Sequence, residues 1–184
     1  PMSADGAVDR RAWLLAGQAL LRRGGLPAVK LTALTAEVGR TTGSFYHHFP
    51  NVAAYLDDLA RFYGADQVEA VLAEISARPD AADPVARLRE LSRRALDDDM
   101  RPLDVAMRDW AGRSEVAAAA VRAADAALLH FVERAFRDLG FDRPGARTRA
   151  LVLLSVGVAR VEGPWPLPRS APDQVIALLT RPDR

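Results

Sequence analysis

Cysteine is absent from this chain of 184 residues. A disulfide framework and a thiolate metal site are therefore both excluded. Long apolar runs are absent too: the longest, residues 150–159, is interrupted by Ser155 and is far shorter than the ~20 residues that a membrane-spanning helix needs. The segment around Arg10 and Arg11 is amphipathic, which is not typical of a secretion signal. We therefore expect a cytoplasmic protein without a membrane partner.

The sequence signatures of common enzyme sites are also missing. The chain has no GxSxG elbow, no Walker loop, no GxGxxG and no HExxH. Of its three histidines, His47 and His48 are adjacent, so on a helix their side chains diverge by ~100° and make a poor chelating pair. The third, His130, lies in a hydrophobic stretch, which is typical of a core or interface residue. We expect neither catalysis, nor a metal, nor a cofactor.

Helical periodicity runs through the chain, and no alternating strand pattern occurs, which predicts an all-α fold of about nine helices. We place helices at about residues 8–23, at two short stretches within 31–49, at 51–77, from 84, and at 103–113, 115–139, 143–162 and 172–180. Pro102 is expected to interrupt the helix that precedes residue 103. Gly140 is expected to end the helix at 115–139.

The stretch Leu31–Phe49, LTALTAEVGRTTGSFYHHF, predicts two short helices joined by a tight turn. Thr32 can cap the first helix and Thr41 the second, each by accepting a backbone N–H. Gly39 supplies the turn between them, where a positive φ costs little only for glycine.

The second of these helices has one apolar side. Phe45 and Phe49 recur four residues apart, which predicts a buried face. The outer face and the exposed end are then formed by Thr42, Gly43, Ser44, Tyr46, His47 and His48. Such a pair of helices is a helix-turn-helix, whose second helix lies in the major groove of DNA.

This segment resembles the DNA-binding domain of the tetracycline-repressor (TetR) family of bacterial transcriptional regulators, over roughly residues 8–60. The matching residues are Gly39, Thr41, Gly43, Ser44, Phe45, Tyr46, His48 and Phe49. The resemblance implies an N-terminal three-helix DNA-binding domain, residues 1–50, and a C-terminal helical ligand-binding and dimerisation domain, residues 51–184. Three positions depart from the family pattern: Val52 replaces a phosphate-binding Lys, Arg40 a buried Val, and Thr35 an Ala.

We predict a DNA-binding surface that combines the outer face of the second helix with nearby polar groups. It consists of Thr32, Arg40, Thr41, Thr42, Gly43, Ser44, Tyr46, His47 and His48. Thr42 and His47 are expected at base edges, with Gly43 allowing close approach of the backbone. Tyr46, His48, Ser44 and Thr32 are expected at phosphates. Arg10 and Arg11 are expected near the DNA backbone or the minor groove.

Charge is distributed unevenly along the chain, although the net charge is only +1. Residues 1–50 carry six basic and three acidic groups, whereas residues 51–184 carry 19 basic and 21 acidic groups. A basic head on an acidic body suits binding to a polyanion through one end.

The predicted helix at 143–162 is apolar around nearly its whole circumference. It is buried either on two sides, by its own subunit and by a partner, or entirely inside one chain. In the TetR family the last two helices of each subunit form a four-helix dimer interface, and this resemblance implies interface residues Val152, Ser155, Val156, Ala159, Val175, Ile176 and Leu179. A homodimer reads a palindromic operator with half-sites about 34–36 Å apart or a multiple of that.

The resemblance also implies a small-molecule pocket among the middle helices. Its candidate lining consists of Tyr63, Met100, Met107, Trp110 and Phe131, because methionine and aromatic side chains form adaptable apolar surfaces. We therefore expect a DNA-binding regulator, a repressor that binds a double-stranded operator and is released by a small apolar or amphipathic effector. The alternative is a helical interaction module of the same fold that has lost operator binding, which Val52 and the modest charge of the head favour.

Overall fold

The computed structural model describes residues 9–95, 100–158 and 170–181. These ranges contain no strand and form ten α-helices, which confirms the all-α prediction. The helices are α1 (Arg10–Gly24), α2 (Leu31–Val38), α3 (Thr42–His48), α4 (Val52–Phe62), α5 (Glu69–Ser76), α6 (Pro84–Ala95), α7 (Met100–Ala111), α8 (Glu115–Asp138), α9 (Arg143–Val158) and α10 (Ala171–Leu179). A 3₁₀ turn, Leu26–Ala28, follows α1. In the described ranges, no helix combines the length and the apolar character needed to cross a membrane.

Two predicted helix boundaries are wrong, each for a physical reason. Pro102 lies in the first turn of α7, where a missing N–H removes no intrahelical hydrogen bond, so it does not interrupt the helix. Thr32 is the second residue of α2 and does not cap it. The N-cap position belongs to Lys30, whose backbone carbonyl accepts the N–H of Leu34 at 2.9 Å.

The helix predicted at 51–77 occurs as α4 and α5 joined by a π-helical segment, Tyr63–Val68. This segment accounts for the tenth helix, because it divides one predicted helix into two. A π turn inserts an extra residue into the helical repeat, so the faces before and after it are out of register. The helix predicted at 143–162 is described as far as Val158, and its last part lies outside the described residues.

Contacts within the chain divide it into two compact units. The first unit contains the residues up to Gly64 together with Arg101–Val121. The second contains Ala65–Met100 and the residues from Arg122 onward. This division differs from the predicted boundary at residue 50, because α4 contributes the fully buried Tyr55 and Leu59 to the first unit.

An aromatic cluster forms the core that positions α3 in the first unit. Trp13, Phe45, Phe49 and Tyr55 are all completely buried. Their rings meet with centroid distances of 5.4 Å for Trp13–Phe45, 5.2 Å for Phe45–Phe49 and 4.9 Å for Phe49–Tyr55. The Tyr55 hydroxyl donates a buried hydrogen bond of 2.9 Å to the Trp13 carbonyl, which joins α4 to α1. Burial raises the pKa of Tyr55 well above its ordinary value, so the hydroxyl stays protonated and can donate.

Helix α1 can approach α4 this closely because position 17 is a glycine. A Cβ atom at Gly17 would lie 2.0 Å from the Tyr55 hydroxyl oxygen and 2.9 Å from Leu59 Cδ2. Both distances are far below van der Waals contact, so any side chain there would force the tyrosine away from Trp13.

In the second unit, Glu90 of α6 lies at the centre of a charge network and is 8% exposed. Its carboxylate accepts two hydrogen bonds from Arg93, at 2.9 and 2.8 Å, and one from Arg94 at 2.9 Å. Arg78, which follows α5, approaches the same carboxylate at 3.6 Å. The hydrogen bonds from Arg93 and Arg94 lower the pKa of Glu90 to about 2.

Gly17→Ala is expected to lower the free energy of unfolding by about 1–3 kcal/mol, because the new methyl group overlaps the Tyr55 hydroxyl. Thermal unfolding of the purified protein measures the loss. Adding Tyr55→Phe should restore part of the stability by removing the overlapping oxygen. Gly43→Ala is the control, since its Cβ would meet nothing closer than 3.7 Å. Equal unfolding midpoints for Gly17→Ala and the wild type would contradict the packing described.

Glu90→Gln is expected to lower the free energy of unfolding by about 1–3 kcal/mol at neutral pH, because it leaves the arginines without their anion. The pKa of Glu90 is lowered from 4.5 to about 2, so its stabilising contribution is complete above pH 4.5. That contribution is lost as the pH falls from 4.5 towards 2. Denaturant titrations at several pH values should therefore give a smaller acid-induced loss for the variant than for the wild type.

Glu69→Gln is the matched control for Glu90→Gln. Glu69 is exposed, lies in the same unit and forms no ion pair among the described residues. An equal effect of the two substitutions would show that the arginine network does not stabilise the unit.

Candidate nucleic-acid interface

The turn between α2 and α3 has the geometry that its sequence predicts. Gly39 ends α2 with a φ of 68°, in the left-handed region that favours glycine. The N–H of Arg40 then donates to the Thr35 carbonyl at 3.1 Å, which closes the turn. Thr41 caps α3, because its hydroxyl oxygen accepts the N–H of Ser44 at 3.3 Å. The predicted turn at Gly39 and the predicted helix cap at Thr41 are confirmed.

Helix α3 has one face in the core and one in solvent. Phe45 and Phe49 are completely buried in the aromatic cluster, as predicted. Thr42, Gly43, Tyr46 and His47 are exposed, and Ser44 and His48 are half-buried. Tyr46 is 50% exposed, and its ring packs edge-on against Phe45 with the ring centroids 5.3 Å apart.

The remaining predicted contact residues lie in the elements that flank α3. Thr32 is exposed on α2, Thr41 is exposed at the start of α3, and Arg40 is half-buried in the turn. The rings of His47 and His48 are 5.2 Å apart, so the two imidazoles form one polar patch at the end of α3. Within α3 itself there is no acidic side chain to repel a phosphate.

The two arginines at the start of α1 pack on aromatic rings of their own unit. The Arg10 guanidinium lies 5.1 Å from the centre of the Phe49 ring and pairs with the Asp58 carboxylate of α4. The Arg11 guanidinium lies 5.2 Å from the centre of the Phe62 ring. Their expected contacts with DNA therefore compete with contacts inside the protein.

The residues predicted to line an effector pocket fall in both units. They are Tyr63, Met107 and Trp110 in the first unit, which are buried, and Met100 and Phe131 in the second, which are half-buried. The Tyr63 hydroxyl donates to one carboxylate oxygen of Asp104 at 2.9 Å, and the Arg108 Nε donates to the other oxygen at 2.9 Å.

Gln67, in the π-helical segment, is a polar group that the sequence analysis did not find. Its amide nitrogen lies 3.6 Å from the sulfur of Met100. Its amide oxygen is buried and has no hydrogen-bond partner among the described residues. A buried acceptor of this kind is costly unless a donor reaches it. Helical periodicity gave no signal for this residue, because the π turn breaks the periodicity at this point.

The residues predicted for a dimer interface divide into exposed and buried sets. On α9, the exposed residues are Val152, Ser155 and Val156. On α10, Val175 and Leu179 are half-buried and Ile176 is only 1% exposed. Ala159 lies outside the described residues. Ile176 is buried within its own unit, where α10 packs against α6 and α9, and its place in a dimer interface stays a prediction. Leu151 and Leu178, which the prediction omitted, are both exposed.

The C-terminal half of α9 exposes the apolar side chains of Leu151, Val152 and Val156, and small side chains make up part of its buried face. Ala146 and Ala150 are completely buried and Leu153 is nearly so, which defines one inward stripe. This arrangement excludes a helix that is buried on all sides by its own chain. Arg149 fixes α9 against α10: its guanidinium lies 3.9 Å from the centre of the Phe141 ring, and its Nε donates to the Leu179 carbonyl at 3.0 Å.

The chain is similar in structure to known transcriptional regulators. A TetR transcriptional regulator from Legionella pneumophila aligns with a TM-score of 0.72 and 15% identity, over 94% of this chain and 96% of that chain. A transcriptional regulator from Rhodococcus sp. Rha1 aligns with a TM-score of 0.69 and 18% identity, over 94% of both chains. No protein-family model matches the sequence, and no curated protein matches it.

These similarities define the class of fold. At 15% and 18% identity they rest on the arrangement of helices along nearly the whole chain rather than on shared side chains. The fold is that of the TetR-type transcriptional regulators, which confirms at the level of fold the resemblance found in the helix-turn-helix.

Proposed function

We propose that this protein is a DNA-binding transcriptional regulator that acts as a homodimeric repressor. The observation that carries the proposal is the division of α3 into two faces. Phe45 and Phe49 anchor the helix in a core that also contains α1 and α4. The opposite side presents short polar groups and Tyr46 to solvent. A rigid helix with a polar outer face and no acidic group suits insertion into the major groove.

The residues of this face fall into two roles. Thr42 and His47 are suited to base edges, because both are exposed and carry hydrogen-bonding groups. Tyr46, Ser44 and His48 are suited to phosphates, which fix register but carry no sequence information directly.

The apolar outer side of α9 supports the proposed homodimer. Leu151, Val152 and Val156 are each more than 40% exposed, and Leu178 of α10 is 59% exposed. Clustered exposed apolar side chains mark an association surface. A symmetric pair of chains would read a palindromic operator, which a single α3 is too short to specify in a genome.

An effector is part of the proposal, and the Tyr63–Asp104 pair of the first unit supports it. The hydroxyl of the buried Tyr63 donates to Asp104, and Asp104 also accepts a hydrogen bond from Arg108 at 2.9 Å, so the first unit holds a polar group beside a buried aromatic side chain. A small amphipathic molecule that prefers a DNA-incompatible conformation would weaken operator affinity by the ratio of its affinities for the two states.

Tyr46→Ala and His47→Ala are expected to lower the affinity for the preferred DNA sequence about tenfold or more, because each removes a contact from the outer face of α3. The preferred duplex is first selected from a random-sequence pool with the wild-type protein. Fluorescence anisotropy at low and physiological salt then measures the affinities. Wild-type binding should weaken steeply with salt, by ~0.9 in the log–log slope for each phosphate neutralised.

His130→Ala is the matched control for His47→Ala, because His130 is an exposed histidine of α8 in the part of that helix assigned to the second unit. It should leave DNA binding unchanged. Salt-insensitive binding that none of the three substitutions alters would refute the proposal and favour a helical interaction module.

Val152→Asp is expected to shift the protein from dimer to monomer, because it places a charge in an apolar association surface. Sedimentation velocity over a range of protein concentrations measures the shift. The control is Leu15→Asp, which changes a similarly exposed residue on α1: Leu15 is 47% exposed and Val152 44%. A wild-type protein that remains monomeric at high concentration would refute the homodimer.

A further inference from the structure

We propose that Asp58 sets the DNA affinity of the first unit by holding Arg10 in an ion pair that DNA must displace. This inference rests on the proposed function, because it concerns a phosphate of the bound duplex. It assigns Asp58 the role of an internal competitor and Arg10 the role of a cation shared between protein and DNA.

The geometry places Arg10 at the edge of the proposed interface. Its guanidinium lies over the ring of Phe49, 5.1 Å from the ring centre. Phe49 is the C-cap of α3, and the His48 ring lies 6.3 Å from the Phe49 ring. Arg10 and His48 therefore flank the same ring at the end of the helix that faces DNA.

The contact with Phe49 keeps the guanidinium in position whether or not Asp58 is paired with it. A cation over an aromatic face is attracted by the ring quadrupole and loses little by also meeting an anion at its edge. The Arg10 side chain is 55% exposed, so a phosphate can approach it from solvent.

The ion pair with Asp58 is easy to exchange. The Arg10 side chain is 55% exposed and the Asp58 side chain 24%, and pairs that solvent reaches contribute little to stability, since water and salt screen them. Asp58 also has a second cation, because Arg61 of the same helix approaches its other carboxylate oxygen at 3.3 Å. When a phosphate takes Arg10, the carboxylate is still compensated by Arg61.

The competition has a measurable consequence. In the free protein Asp58 neutralises Arg10, so part of the energy of an Arg10–phosphate contact is spent in breaking the existing pair. Asp58→Asn removes that cost and should raise the affinity for duplex DNA about two- to five-fold, the range expected for an exposed ion pair. Arg10→Gln should lower the affinity and reduce the log–log salt slope by ~0.9.

Removing any acidic group also raises affinity for a polyanion through the long-range field, so a matched variant is needed. Asp57→Asn removes the same charge one residue earlier on α4, and Asp57 is half-buried like Asp58. Asp57 forms no ion pair among the described residues. The increase for Asp58→Asn above that for Asp57→Asn measures the specific competition.

The test is a salt titration by fluorescence anisotropy with a short labelled duplex of mixed sequence, which needs no knowledge of the operator. It uses the full chain as wild type, Asp58→Asn, Asp57→Asn, Arg10→Gln and the Arg10→Gln/Asp58→Asn double variant. Thermal unfolding of each verifies that the fold is intact. We expect the gain from Asp58→Asn to exceed that from Asp57→Asn and to disappear in the Arg10→Gln background.

Equal gains for Asp58→Asn and Asp57→Asn would overturn the inference, as would a gain that persists without Arg10 or a salt slope that Arg10→Gln leaves unchanged. In each of these cases the wild type still binds DNA, so the proposed function survives. A wild type that fails to bind the duplex at low salt would overturn both.

Discussion

The hydrogen bond between the Tyr55 hydroxyl and the Trp13 carbonyl is the constraint on which the proposed interface depends. It requires α1 and α4 to meet at Gly17, where no other residue leaves space for the tyrosine. With those helices fixed, the rings of Phe45 and Phe49 pack against Trp13 of α1 and Tyr55 of α4. The rotation of α3 follows, and with it the set of polar side chains that face solvent.

Helix α9 has small side chains on part of its buried face and exposed apolar side chains in its C-terminal half. Its inward stripe includes Ala146 and Ala150, which permit close packing on its own unit, while valines and a leucine remain outside. Burial within one chain therefore leaves much of the apolar area of this helix in water. Burying that area at about 25 cal/mol per Å² is a strong driving force for association. The same distribution explains why the apolar pattern of α9 surrounds the helix instead of marking one face.

The parts of the fold that local chemistry determines could be predicted from the sequence. The turn at Gly39 and the cap at Thr41 each depend on residues within one helical turn, and the four-residue spacing of Phe45 and Phe49 marks the apolar side of α3. The π-helical segment could not be predicted, because an apolar periodicity of 3.6 residues does not distinguish a π turn from an α-helical one. The burial of Ile176 could not be predicted for a related reason: α10 packs against α6, which is distant in sequence.

The interface illustrates the same separation between local and tertiary causes. The outer residues of α3 follow from a seven-residue helix and its periodicity. Whether the Arg10 guanidinium is paired depends on the Asp58 carboxylate, which is 48 residues away in the sequence. No local sequence pattern reveals this pair. A net-charge count treats Arg10 as available to a polyanion, although its guanidinium is already paired with Asp58. The aromatic core thus determines the shape that the first unit presents, whereas its exposed ion pairs determine how much of its positive charge a phosphate backbone can use.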